Sequence, residues 1–302
     1  MSLLNGKGLT SGMMKDGKGV DKNEPQKKGF FLFWDIIWNK FGKFVKANAL
    51  YSLTSLLWIA FLYMVAPVSL EWAQSIVGGA DGAEFQAQAL VFGLREMFTL
   101  IMFNLWGNPL VAPSYAYVTR CFTRGEPVWV WSDGWDVFKE NFKKSIALFI
   151  LDAVVIVMGI NAIYFYYAQY NVTGGYVWLM MCGLFCAMVF IYTIMHYYIY
   201  QIMVTFECSF GQLLKNSILC AIAHLPMALV HTVISAGIII LLSFAVYPGI
   251  VIVFDLFIGL CVTRFPMEFY AARVIKKMIK QNEKKENRNR ARITYIENGE
   301  DK

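Results

Sequence analysis

The sequence predicts an all-α polytopic membrane protein with about six transmembrane helices and amphipathic helices at the interface. Three observations carry this. Charged residues make up 16% of the chain and apolar or aromatic ones 58%, whereas a soluble domain has roughly 25% charged residues. The charges avoid windows long enough to cross a bilayer. Between those windows, basic segments alternate with acidic or uncharged ones, which places the protein in the plasma membrane with both termini cytoplasmic. The net charge of +6 lies in the flanks a membrane protein keeps in the cytoplasm, so it gives no reason to expect nucleic acid as a partner.

Taken in order, residues 1–29 are polar and rich in Lys and Gly, with no apolar core for a signal peptide, and read as a disordered cytoplasmic arm. Residues 30–264 form the transmembrane domain. It opens on an amphipathic helix from Phe30 to Lys46, with Phe31, Trp34, Trp38, Phe41 and Val45 recurring every three or four residues; simple continuation into the first span is the alternative. Span one follows, from about Phe44 to Ala66. The stretch from Pro67 to Arg95, with Glu71, Asp81 and Glu84, reads as an acidic external loop. Spans two to five cover about Glu96–Thr119, Ser145–Ala168, Tyr176–Val204 and Cys220–Val246. The turn Tyr247-Pro248-Gly249 leads into span six, which ends at Thr263-Arg264. Residues 265–302 read as a basic surface helix restarting after Pro266, then a solvated tail whose cluster of Lys and Arg either grips anionic lipid or simply solubilises the chain and fixes its topology. Cys182, Cys186, Cys220 and Cys261 fall inside apolar segments and Cys121 and Cys208 near cytoplasmic ends; none sits in an external loop, which predicts reduced thiols.

The stretch around which the rest is arranged is Asn104–Lys144. Pro109 and Pro113 interrupt an apolar run and, in a continuous helix, would free the carbonyls of Leu105 and Pro109 near the middle of span two. Asn104, Asn108 and Ser114 are the local polar groups available to them. A broken helix at that depth is how transporters build a midplane site; a kink packed on another span is the alternative. Beyond the turn at Arg124–Pro127, a short helix is expected from Ser132 to Lys144. Ser132 or Asp133 would cap it, and Asp136 and Lys139, Lys143 and Lys144 would favour its dipole. Trp131, Trp135, Phe138 and Phe142 share one face, a stripe that fits an aromatic belt or stacking on a sugar.

The run from Asn108 to Lys144 resembles the signature of the YesL-like family of bacterial integral membrane proteins, a domain of unknown function. The resemblance rests on Pro109, Pro113, Arg120, Arg124-Gly125-Glu126, Asp133 and Phe138-Lys139 with Asn141. Two departures are Gly107-Asn108-Pro109, where the family has Thr-x-Gly-Pro, and a longer stretch from Pro67 to Arg95. Genes of that family often neighbour sugar-uptake genes, so the resemblance implies an accessory component linked to carbohydrate uptake or its regulation, with a sugar-importer permease or other membrane protein as partner.

Ionisable and polar residues inside spans are the other functional candidates: Asp152, His196, His224, His231 and Asp255, with Asn161 level with Asp255. Together with Asn108, the residues Asp152, Asn161, His231 and Asp255 form the candidate intramembrane polar site of a small-solute transporter. No H-E-x-x-H spacing, Gly-x-Ser-x-Gly elbow or phosphate-binding loop is present. The expectation is therefore a protein without catalysis of its own, cofactor or metal, its partner being the lipid bilayer.

Overall fold

The computed structural model describes residues 29–77, 83–245 and 253–300, and every regular element among them is helical. Among the described residues, four helices are long and apolar enough to cross a membrane, or five if one bent pair counts as a single span. The residues on their outer faces are large and apolar, such as Leu57, Val154, Met158, Met180 and Val233. Many buried side chains are polar or charged. That inverts the soluble pattern and suits a hydrocarbon surround.

α1 (Phe30–Thr54) is one helix, so the amphipathic segment and the start of span one are not separate. The bend comes later, at Ser55, where α2 (Leu56–Val65) leaves α1 at 59°. The stretch expected to be an external loop holds α3 (Leu70–Val77) and the beginning of α4 (Ala83–Trp106). Arg95 of α4 reaches back to donate to the Val68 carbonyl at 2.8 and 3.1 Å.

Span two is broken as its prolines predict, but the break starts before them. α4 ends when the Gly107 N–H closes on the Phe103 carbonyl, with Gly107 at φ 76°. α5 (Ala112–Arg124) starts five residues on, and Pro113 lies in its first turn. A first-turn N–H has no intrahelical acceptor, so Pro113 frees no carbonyl. α5 ends in a Schellman motif: Gly125 at φ 75° donates to Phe122, and Glu126 donates to Cys121.

The short surface helix and span three form a single helix, α6 (Ser132–Thr173), 42 residues long. Neither Ser132 nor Asp133 caps it by a side-chain hydrogen bond; Asp133 accepts instead from the Trp129 N–H at 2.9 Å. α7 (Tyr176–Met203) matches span four, and every residue from Thr193 to Met203 is buried, making that half of α7 the axis of the bundle. Span five divides at His224 into α8 (Phe210–Ala223) and α9 (Leu225–Ala245). α8 begins with a capping box between Ser209 and Gln212. A π-helical turn at Asp255–Gly259 leads through α10 (Leu260–Thr263) into α11 (Phe265–Glu300). α11 is helical to Glu300, where a tail was expected from about residue 281. The predicted disordered arm, the turn at Tyr247-Pro248-Gly249 and the Asp255 side chain lie outside the described residues. All six cysteines are free thiols.

Candidate functional site

Where α4 breaks, five helices converge on one buried polar cluster. Its centre is an ion pair on α11 and the residue before it. Arg264 and Glu268 are 5% and 3% exposed, with Nε and Oε1 3.3 Å apart. The i,i+4 spacing brings the two together, and the burial comes from α4, α5 and α7 packed around them. Glu268 also accepts from Gln201 Nε2 at 2.6 Å, and the same nitrogen lies 3.0 Å from the Ala116 carbonyl. The guanidinium sits over Tyr200 and Tyr51, 5.2 and 5.9 Å from the ring centroids.

This arginine fills the helix break. A Cβ on Gly107 would run into the Arg264 guanidinium and the Tyr51 hydroxyl. The linker's own polar groups are met from other helices. The Asn108 N–H donates to Tyr51 Oη at 2.6 Å and its amide to Ser55 Oγ at 3.1 Å, while Tyr200 Oη donates to the Trp106 carbonyl at 2.9 Å. Within the linker, the Leu110 N–H donates to Asn108 Oδ1 at 3.1 Å. Of the local groups expected to serve the freed carbonyls, Asn104 donates to Leu100 and accepts from the Thr263 hydroxyl, and Ser114 donates to Gly134.

A second cluster joins α6 to α7. Asp152 and His196 are fully buried, and His196 Nε2 lies 3.1 Å from both carboxylate oxygens. Tyr192 donates to Oδ1 at 2.6 Å, and His196 Nδ1 faces the Tyr192 carbonyl at 3.0 Å. An acid, a base and a phenol at hydrogen-bonding distance can hold or pass a proton. Trp106 links the two clusters: its indole stacks on His196, and its Nε1 donates to Thr193 at 2.9 Å. Between them is a cavity of about 10 Å³ bordered by His196, His231, Arg264 and Glu268, room for about one water.

Of the expected polar residues, Asn108 lies in the break, Asp152 in the second cluster and His231 at the cavity. His231 pairs with Ser235 at 3.2 Å, which donates to the Thr263 carbonyl at 3.0 Å. Asn161 does not belong to the site: it is exposed and donates to Val157 on its own helix at 2.7 Å. Arg264, Glu268 and Gln201 are the members the sequence reading lacked. Arg264 ends an apolar run, the usual place of a cytoplasmic flank; the sequence signal for its burial is an opposite charge four residues on, across Pro266.

The signature residues do not converge on one point. Arg120 donates to the Val204 carbonyl and to Thr205, Arg124 lies 3.9 Å from Glu126, Lys139 pairs with Asp136 at 3.5 Å, and Asn141 donates to Val137 at 3.0 Å. Pro109 lies in the linker, Pro113 and Gly125 bound α5, and Phe138 stacks on Trp135 and meets Phe142 edge to face. Most of them shape the α5–α6 hairpin, while Arg120 ties α5 to the end of α7. Among the described residues, no three His, Cys, Asp or Glu side chains stand together to hold a metal. No protein-family model, curated protein or solved structure matches the chain.

Proposed function

We propose that this protein is a non-catalytic accessory component of the bacterial plasma membrane, with both termini cytoplasmic, acting on carbohydrate uptake or its regulation beside a sugar-importer permease. The link to sugar uptake comes from the YesL-like resemblance of residues 108–144. The observation that supports an accessory role is the state of the helix break: the protein's own Arg264 and Tyr51 occupy the space a midplane solute would need. A break packed in this way serves as a joint that fixes helix directions. The test is purification of the tagged full chain from native membranes after mild cross-linking. Enrichment of a sugar-importer permease, absent from a control with an unrelated six-span protein, supports the reading; recovery of the chain without any permease sinks it.

One observation favours a second reading, a small-solute transporter. The cavity bordered by His196, His231, Arg264 and Glu268 lies beside the break and next to the Asp152 pair, where a cation or proton could be exchanged. Uptake of labelled solutes into proteoliposomes of the purified chain, abolished by Asp152→Asn, would establish it over the accessory role.

A further inference from the structure

A groove of about 260 Å³ runs between α1, α5 and the start of α6, somewhat below the ~300 Å³ at which small-molecule pockets begin. Trp131, Trp135 and Phe138 form one wall. Four lining residues carry hydroxyls, and each hydroxyl is engaged in the protein. Thr54 donates to the Leu50 carbonyl at 2.8 Å and Ser114 to the Gly134 carbonyl at 2.7 Å. Tyr115 points at Asn48 Oδ1 and the Leu260 carbonyl, and Tyr51 accepts the Asn108 N–H. Apart from the indole N–H groups of Trp131 and Trp135, the surface left to an occupant is hydrocarbon and aromatic carbon. A sugar would bring several hydroxyls for which two indole donors are too few partners, a costly burial, whereas an alkyl chain needs none.

Two further facts identify the occupant. The groove is continuous with the lipid-facing surface: Leu53 and Leu57 flank Thr54, and Ile146 and Ile150 continue α6 beyond Phe142, all of them exposed. Cations border it as well. Lys43 lies one turn before the lining residue Ala47 and holds its Nζ 3.4 Å from the Val128 carbonyl. Lys139 Nζ lies 5.5 Å from the Trp135 ring centroid, shared with Asp136 at 3.5 Å. Exposed Lys43 is thus placed for a phosphate at the water edge while the groove takes a chain below it.

We propose that this groove is a phospholipid site, holding one acyl chain against Trp131, Trp135 and Phe138 with the phosphate beside Lys43. The proposal rests on neither functional reading above. The full chain is reconstituted in phosphatidylglycerol–phosphatidylethanolamine vesicles containing a phospholipid with a diazirine midway along one acyl chain. After irradiation, adducts are mapped by peptide mass spectrometry. Adducts concentrated on residues 47–54 and 131–138, relative to the exposed face of α7, are expected. Leu110→Phe and Val130→Phe plug the groove from two linkers outside the helices. Each should lower those adducts about tenfold, the effect of losing two buried methylenes, and leave those on α7 unchanged. Adducts spread evenly over all exposed helices overturn the proposal, and so does labelling unaffected by plugs in folded protein. Protection of the groove by a second copy, seen as a dimer cross-linked through it, or displacement of the label by a disaccharide, overturns it too. Should both plugged variants fail to fold, the distribution on the parent chain decides alone.

Discussion

Trp106 lies flat on His196, ring centroids 4.8 Å apart and planes 10° from parallel, so the last residue of α4 before the break covers the buried partner of Asp152. The stack puts the break and the acid–base pair in direct contact. Asp152→Asn keeps an acceptor for the Tyr192 hydroxyl and should stay near parental stability. Asp152→Leu strands Tyr192 and His196, at about 1–3 kcal/mol for each group left unsatisfied. Unfolding by sodium dodecyl sulfate in mixed micelles measures both; a Leu variant as stable as the parent would show that the pair is not enclosed.

Gly107 and Gly125 have nearly the same backbone, φ 76° and 75°, yet opposite surroundings: Arg264 and Tyr51 crowd the first, and the second faces open space. Gly125→Ala should cost only the left-handed conformation, about 1–2 kcal/mol. Gly107→Ala adds displacement of the guanidinium and should cost clearly more. Equal midpoints for the two variants in the same unfolding assay would mean that Arg264 does not fill the break.

The Arg264–Glu268 pair is expected to be costly to break and cheap to replace. Glu268→Leu alone leaves an uncompensated buried guanidinium and should destabilise by about 3–5 kcal/mol. Combining it with Arg264→Met should restore most of that loss. A double variant no better than the single would contradict a closed ion pair.

Orientation is tested by single cysteines in a cysteine-free background, labelled in intact cells with a membrane-impermeant maleimide. Reaction is expected at Ser75 and Gly174 and not at Ser11 or Asn287. Labelling of either inner position would reverse the proposed topology.

Much of this fold can be read in the sequence because hydrocarbon punishes unpaired backbone so heavily. α7 follows its apolar run almost residue for residue, and the break at Pro109 is announced by two prolines. The continuity of α6 is not legible in the same way. Charge gives way to apolar residues between Lys144 and Ser145, and that looks like a boundary; but a helix can pass from water into lipid without interruption where no proline or glycine stops it. The division at His224 did have a signal, Pro226, which sits where a first-turn N–H is dispensable. The site was half legible. Asp152 is conspicuous as an acid in an apolar run, but its partner is 44 residues away, and only packing of α6 on α7 brings them together. Arg264 was hidden by its position at the end of a span, where arginines commonly meet water.

α6 runs from Ser132 to Thr173 without a proline or a break. Trp135, on the groove wall, and Asp152, in the buried pair, therefore stand about 25 Å apart on a single rod. No hinge separates them to absorb a displacement, so the lipid-facing wall and the bundle's acid are mechanically in series. A tilt of α6 that widens one end must be taken up at the other, as a change in leverage on the hydrogen bonds that Tyr192 and His196 make across to the carboxylate.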